Sequence, residues 1–276
     1  MDSSNVEILR PKAMHWPLVV LRGLTLAIGS FILVSLYLLF HYVEVLLPRL
    51  HATSLIASLW GRLGLLVTGV KLEVVGKHMK HGGAIVANHA TWIDIFTFHA
   101  ASHISFVSKS EVRKWPVIGF MARVTGTLFI ERRRGMAKHH QTALLERLDR
   151  GDQLLFFPEG TSNDGRHILE FKSTLFSVFH APELIDHVWV QPATATYFPP
   201  NGRPVDFYSW FGDMGFGEHI LAMLAYSRGG RVRVTLHDPV KANDYTTRKD
   251  LARYCDKVVR ECFAQDLGVE VSEVSL

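Results

Sequence analysis

The stretch Gly83-Ala84-Ile85-Val86-Ala87-Asn88-His89-Ala90-Thr91-Trp92-Ile93-Asp94 decides how this chain is read. Its first part, Gly83 to Val86, is a short apolar run of the kind that forms a buried strand. Just beyond it, Ile95-Phe96-Thr97-Phe98 supplies the apolar face of a helix. A histidine and an aspartate therefore meet where a strand gives way to a helix. An imidazole with a nearby carboxylate is the least equipment needed to take a proton from a hydroxyl. Residues five apart on a regular helix point about 140° apart, at about 3.6 residues per turn. His89 and Asp94 can pair only if His89 lies ahead of the helix. Asn88 and Thr91 are residue types that suit a helix start at that place.

Working outward, strand-like runs alternate with helical ones. The expected strands are Lys71 to Val75, Ala84 to Ala87, Ile104 to Val107, Thr127 to Ile130, Gln153 to Phe157, His187 to Thr196 and Arg231 to Leu236. The expected helices are Ile93 to Ala101, Met136 to Arg150, Thr174 to His180, Glu218 to Tyr226 and Thr247 to Gln265. That alternation predicts an α/β fold with a mostly parallel central sheet flanked by helices. Sites in such sheets gather at the carboxyl ends of strands. His89 and the segment after Phe157 both fall there. No internal repeat or low-complexity segment interrupts the pattern.

The 276 residues are 48% hydrophobic, and the excess is concentrated near the N-terminus. Gly23 to Phe40 contains no charged residue. With its flanks it exceeds the roughly 20 apolar residues of a membrane helix. Arg22 and Glu44 would sit at the interfaces. The run is long and lacks a small-residue cleavage site, which argues against a signal peptide. Two arrangements stay open, a spanning helix and a hairpin lying in one leaflet. Leu55 to Val70, broken by Arg62, reads as amphipathic. The expected division is therefore an N-terminal apolar membrane-anchoring helical segment over 1–50 and an α/β body over 51–276, with its boundary near His51.

The net charge is +4. Arg10, Lys12 and Arg22 around the apolar run suit anionic lipid headgroups. Nucleic acid is not expected, because no helix-turn-helix, zinc-finger or single-strand-binding pattern is present. Cys255 and Cys262 lie two turns apart on one expected helix, about 10 Å, too far for a disulfide. Two cysteines alone do not make a structural zinc site. A reducing, cytoplasmic setting follows.

Three more segments gain meaning beside the first. Gly126-Thr127-Leu128-Phe129-Ile130-Glu131-Arg132 is a strand ending in a basic cluster with Arg133 and Arg134. Phe156-Phe157-Pro158-Glu159-Gly160-Thr161-Ser162 is a strand running into a turn, where Glu159-Gly160-Thr161 could offer backbone N–H groups to an oxyanion or phosphate. Val188-Trp189-Val190-Gln191-Pro192-Ala193-Thr194 is a buried strand with a proline near its end.

In this order and spacing the four segments resemble the glycerolipid acyltransferases, of the 1-acylglycerol-3-phosphate O-acyltransferase type. That family carries Asn-His-x4-Asp, Gly-x-x-Phe-Ile-x-Arg, Phe-Pro-Glu-Gly-Thr and a Val/Ile-rich strand ending in Pro. The matches are Asn88, His89 and Asp94; Gly126, Phe129, Ile130 and Arg132; Phe157 to Thr161; and Val190 with Pro192. They cover residues 65 to 200. The resemblance implies that His89 is a general base acting on the acceptor hydroxyl and that Asp94 fixes and stabilises its ring. It implies that Lys109 and Arg132 hold an acceptor phosphate, with Glu159, Gly160 and Thr161 also binding substrate. It implies no resident cofactor or metal, the thioester of acyl-CoA or acyl carrier protein being the co-substrate. It implies a membrane lipid partner and an inner-membrane enzyme whose catalytic domain faces the cytoplasm.

One departure bears on the acceptor. The family often has Arg directly after Phe-Pro-Glu-Gly-Thr; here the chain reads Ser162-Asn163-Asp164, with Arg166, two residues further on, able to compensate and Asp164 able to pair with the amino group of a zwitterionic lyso-lipid. The first expectation is transfer to 1-acyl-glycerol-3-phosphate, giving phosphatidic acid. The second is transfer to lyso-ornithine lipid, whose amino-acid headgroup suits a less basic cavity. A non-catalytic lipid-binding protein of the same fold is a third reading, disfavoured by the intact His89/Asp94 pair. A hydrolase is disfavoured because no Ser or Cys nucleophile sits at a strand-to-helix turn. Trp115 to Phe120 would line an acyl tunnel or pack the core.

Overall fold

The computed structural model describes residues 8–47, 52–114, 118–130 and 137–275. Its centre is an eight-stranded sheet built from β1 (Val70–Gly76), β2 (Gly83–Ala87), β3 (Ser105–Lys109), β4 (Leu128–Ile130), β5 (Gln153–Phe156), β6 (Trp189–Phe198), β7 (Gly230–Leu236) and β8 (Val240–Lys241). The strand order is β1-β7-β6-β2-β5-β3-β4, with β8 beside β6. The run β6-β2-β5-β3-β4 is parallel throughout, and only the β6/β7 and β6/β8 pairs are antiparallel. A mostly parallel sheet is what the sequence pattern predicts. Its central strand β2 is buried at every position, as a strand covered on both faces must be.

Alternation along β2 divides the core in two. Ile85 and Ala87 point into a layer with Phe96, Phe98 and Met223, on the side of α2 (Ala52–Thr68), α3 (Asp94–Ala101) and α6 (Phe216–Tyr226). Ala84 and Val86 point into the opposite layer with Leu251, Val259 and Phe263 of α7 (Arg248–Leu267). Between them in sequence lie α4 (Ile118–Val124) and α5 (Ala137–Asp149). Cys255 and Cys262 both sit on α7 as free thiols.

Three details depart from the sequence pattern. Ser173–His180 is a 3₁₀ helix, not an α-helix. Phe176 and Phe179, three apart, stack edge-on and are fully buried, a spacing that the three-residue turn aligns. The short α4 and the two-residue β8 carry too few residues to show a period.

Helix α1 (Trp16–Leu46) has 31 residues and is about 46 Å long at 1.5 Å per residue. The helical span Ala13–Glu44 is, among the described residues, long and apolar enough to cross a membrane by length and composition. It is also fastened to the body at both ends. Arg22 donates to the carbonyls of Leu224 (2.8 Å) and Ser227 (3.0 Å), at the end of α6 where carbonyls lack helical partners. The Trp60 indole N–H donates to Ser30 Oγ (3.0 Å), and Glu44 accepts from the N–H and hydroxyl of Thr53. The outer side keeps Val20, Leu21, Leu24, Ile28, Phe31, Ile32 and Leu39 exposed. An apolar surface of this kind suits a bilayer. His51, at the expected boundary, lies outside the described residues.

Helix α2 in turn fixes α3, whose first residue is Asp94. A Cβ at Gly61 would lie 2.5 Å from the Phe96 carbonyl oxygen, and one at Gly64 would run into the Phe96 ring. The two helices meet backbone to backbone there.

Candidate active site

His89 stands two residues beyond β2, in the loop before α3, where the five-residue spacing requires it. Asp94 Oδ2 accepts from His89 Nδ1 (2.8 Å) and from the N–H groups of Ala90 (3.0 Å) and Thr91 (3.1 Å). The carboxylate thus closes its own loop. Asn88, by contrast, caps nothing. Its side chain bridges to β6, donating to the Ala195 carbonyl (2.9 Å) and accepting from the Ala195 N–H (2.8 Å). The residue before α3 is Ile93, with no side-chain cap. Of the helix-start role expected of Asn88 and Thr91, Thr91 keeps a part, its Oγ1 accepting from the Ile93 N–H (3.4 Å), and Asp94 takes the N–H groups of Ala90 and Thr91.

The other oxygen, Asp94 Oδ1, accepts from the Tyr197 hydroxyl (2.7 Å), which also bonds Thr97 Oγ1 (2.9 Å). Asp94 and Thr97 are wholly buried and Tyr197 nearly so, whereas the His89 side chain is 21% exposed. Burial first, then the adjacent Asp94, pushes the Tyr197 phenol well above its ordinary range, so it stays a donor. With Nδ1–H given to the carboxylate, Nε2 is the nitrogen left to take a proton. The Phe157 ring stacks on the imidazole at 4.1 Å between centroids and 14° between planes. One edge and one face of His89 are thereby fixed.

Glu159 does not face the cavity. Its carboxylate is wholly buried, with Oε1 accepting from the His89 N–H (2.7 Å) and Oε2 from Asn163 Nδ2 (2.6 Å) and the Leu169 N–H (2.8 Å). It ties the β5 loop to the His89 loop, so its side chain is no substrate ligand. Burial lifts this carboxyl to about 8, the hydrogen bonds offsetting only part of the penalty. Gly160 gives its N–H to the Phe157 carbonyl (3.0 Å) at φ +72°, a turn that favours glycine. The expected cradle of N–H groups is therefore partly spent inside the turn.

A cavity of about 560 Å³ opens in front of His89, lined by Lys109, Glu111, Gly160, Thr161, Ser162 and Trp210 among others. Lys109 ends β3 and Ile130 ends β4, so four parallel strand ends converge on it. An apolar arm of about 120 Å³ runs inward from His89 between Trp60, Trp92, Phe106 and Met121. His99 lines this arm too, and burial lowers its pKa to about 4, keeping it neutral. Arg132 and Trp115 lie outside the described residues, and Phe120 is exposed.

Asp164 and Arg166 are not on the cavity wall. Asp164 pairs with His167 Nδ1 (2.9 Å) and accepts from the Arg166 N–H (3.0 Å). Arg166 pairs with Asp206 (2.9 Å). The expectation that Arg166 compensates for the missing basic residue does not hold. Tyr197, Glu111 and Trp210 escaped sequence reasoning. Tyr197 lies on a strand buried along almost its whole length, so no period marks it.

The profile of the Acyltransferase family matches residues 70–195. The lyso-ornithine lipid O-acyltransferase of Rhodobacter capsulatus is 41% identical over 249 residues, covering 90% of both chains. A 1-acyl-sn-glycerol-3-phosphate acyltransferase of Neisseria gonorrhoeae is 36% identical over 131 residues, 47% of this chain and 51% of that one. Among solved structures, the 1-acyl-sn-glycerophosphate acyltransferase PlsC of Thermotoga maritima superposes with a TM-score of 0.59 at 20% identity, covering 91% of this chain and 98% of that one. That last likeness is one of fold.

Proposed function

The chain belongs to the glycerolipid acyltransferase family and acts on lyso-lipids; from that premise we propose that its acceptor is lyso-ornithine lipid. The observation that carries this is the extent of the match to the Rhodobacter capsulatus enzyme, which runs over nine-tenths of both chains. Transfer to 1-acyl-glycerol-3-phosphate, the first expectation from the motifs, becomes the second reading. What favours it is Lys109 on the cavity wall; what weakens it is Ser162 where the family often has Arg.

In this proposal His89 Nε2 takes the proton of the acceptor hydroxyl as the oxygen attacks the thioester carbonyl. Asp94, held by Tyr197 and by two backbone N–H groups, keeps the ring's tautomer and balances the imidazolium. The tetrahedral intermediate collapses, the thiolate of coenzyme A or acyl carrier protein leaves, and His89 returns the proton. The acyl chain of one substrate lies in the apolar arm that begins at His89. A positioned base of this kind supplies about 10²–10⁴-fold. No nucleophile on the enzyme is needed, since the acceptor brings its own.

Residues 1–50 act as the anchor, with the exposed face of α1 in the inner membrane and the strand ends toward the cytoplasm, where thioester donors are made. The test is a competition assay. Purified protein receives lyso-ornithine lipid and 1-acyl-glycerol-3-phosphate together, with acyl-CoA and acyl carrier protein donors in separate arms. Preference for lyso-ornithine lipid supports the reading; preference for the phosphate acceptor reverses it. Ser162→Arg shifts the ratio toward the phosphate acceptor by about tenfold, one charge-assisted contact.

A further inference from the structure

Among the described residues, the cavity wall in front of His89 holds one ionisable side chain of each sign besides the imidazole. Of the described residues lining it, the ionisable ones besides His89 are Lys109 and Glu111. The others are apolar, or offer hydroxyls (Ser108, Thr161, Ser162) or bare backbone (Gly160, Gly212). We propose that this wall is a zwitterion site, in which Glu111 receives the ammonium of an amino-acid headgroup and Lys109 its carboxylate. The proposal rests on the acceptor reading above and names residues that read the headgroup.

The chemistry follows from the acceptor. An ornithine with one amine in an amide to a fatty chain keeps a carboxylate at one end and a free ammonium at the other. A wall with one cation and one anion complements both. A phosphate monoester carries up to two negative charges and no positive one, so Glu111 repels it. Position supports the pairing. Lys109 closes β3 and Glu111 stands two residues on, where the chain enters the 3₁₀ turn Ser110–Lys114. Both therefore reach the same opening from one short segment. Glu111 is exposed and, among the described residues, meets the Ser110 hydroxyl at a long 3.4 Å, so its carboxylate can swing to a ligand at little cost. The acid that the sequence puts forward for this role, Asp164, is occupied by His167 and the Arg166 N–H off the cavity wall. Specificity for the ammonium is then a difference between acceptors that bear it and acceptors that lack it.

The experiment uses the full-length protein and three acceptors: lyso-ornithine lipid, its norvaline counterpart with the same hydroxyacyl amide and carboxylate but no ammonium, and 1-acyl-glycerol-3-phosphate. Wild type prefers the ornithine acceptor to the norvaline one by about tenfold or more in kcat/KM, carried by KM. Glu111→Gln abolishes that preference by lowering use of the ornithine acceptor, with no fall in the norvaline rate. Glu111→Asp, which keeps the charge, retains part of the preference. Glu111→Lys raises relative use of the phosphate acceptor. An ornithine-to-norvaline ratio unchanged in Glu111→Gln overturns the proposal and leaves the acceptor reading standing. An equal loss on all three acceptors assigns Glu111 a structural role and overturns it too. Wild type that acylates 1-acyl-glycerol-3-phosphate and ignores lyso-ornithine lipid fails the acceptor reading itself, and the zwitterion site with it.

Discussion

Behind His89 the polar groups are buried and saturated; in front of it they are exposed and few. The rear network of Asp94, Tyr197, Thr97, Glu159 and Asn88 lies in or against the core, and its hydrogen bonds run 2.6–3.1 Å. The front wall of Lys109, Glu111, Thr161 and Ser162 is at most half-buried. The rear holds the His89 ring in one orientation. In the proposed reading the rear serves proton transfer whatever the acceptor, and the front meets the headgroup. Chemistry and selectivity are in that reading separated on the two sides of one imidazole.

The sharpest way to break that separation is at the proton acceptor. His89→Ala lowers kcat by about 10²- to 10⁴-fold on every acceptor, with the melting temperature and membrane association kept. Asp94→Asn falls in the same range, because an amide can turn its NH₂ toward the ring. Acyl transfer from a thioester donor is the readout. A loss confined to one acceptor in either variant would put chemistry and selectivity on the same side.

Tyr197→Phe tests the depth of the rear network. It removes one hydrogen bond to a buried carboxylate, worth about 1.5–3 kcal/mol, and should lower kcat about tenfold. Since Tyr197 lines neither the cavity nor its apolar arm, acceptor and donor KM stay near wild type. A change in KM with kcat unchanged would instead assign the phenol to binding.

Glu159→Gln gives the smallest effect, on stability rather than rate. Burial lifts the Glu159 carboxyl from 4.5 to about 8, so the folded chain binds this proton more tightly than the unfolded one. Its penalty is absent below the unfolded pKa and grows as pH rises toward the folded pKa. Wild type should lose thermal stability between about pH 5 and about pH 8 relative to Glu159→Gln, which has nothing to ionise. Parallel melting curves for the two proteins across that range would show that the three N–H donors stabilise the carboxylate fully.

Much of the site was legible in the chain because its signals are local. His89 and Asp94 are five residues apart at a junction announced by an apolar run, and the structure pairs them at 2.8 Å. Glu159 was legible as a motif residue but not in its role. Whether a carboxylate faces a cavity or turns inward depends on donors such as the Leu169 N–H, ten residues away. Arg132 stands outside the described residues, and its proposed part in headgroup binding rests on the motif alone.

The sequence by itself determined the α/β class, the strand-to-helix corner with its His89–Asp94 pair, and the apolar N-terminal helix. Hydrophobic period and short-range spacing are properties of neighbouring residues, and they survive without tertiary context. Only the tertiary structure decided that Tyr197, 103 residues from Asp94, completes the carboxylate. It alone decided that Arg22 fastens the apolar helix to α6, 202 residues away, and that Lys109 and Glu111 share a wall with His89. The physical reason is sheet order. Parallel strands far apart in sequence are set side by side with their carboxyl ends on one edge, and only that edge selects which distant side chains meet.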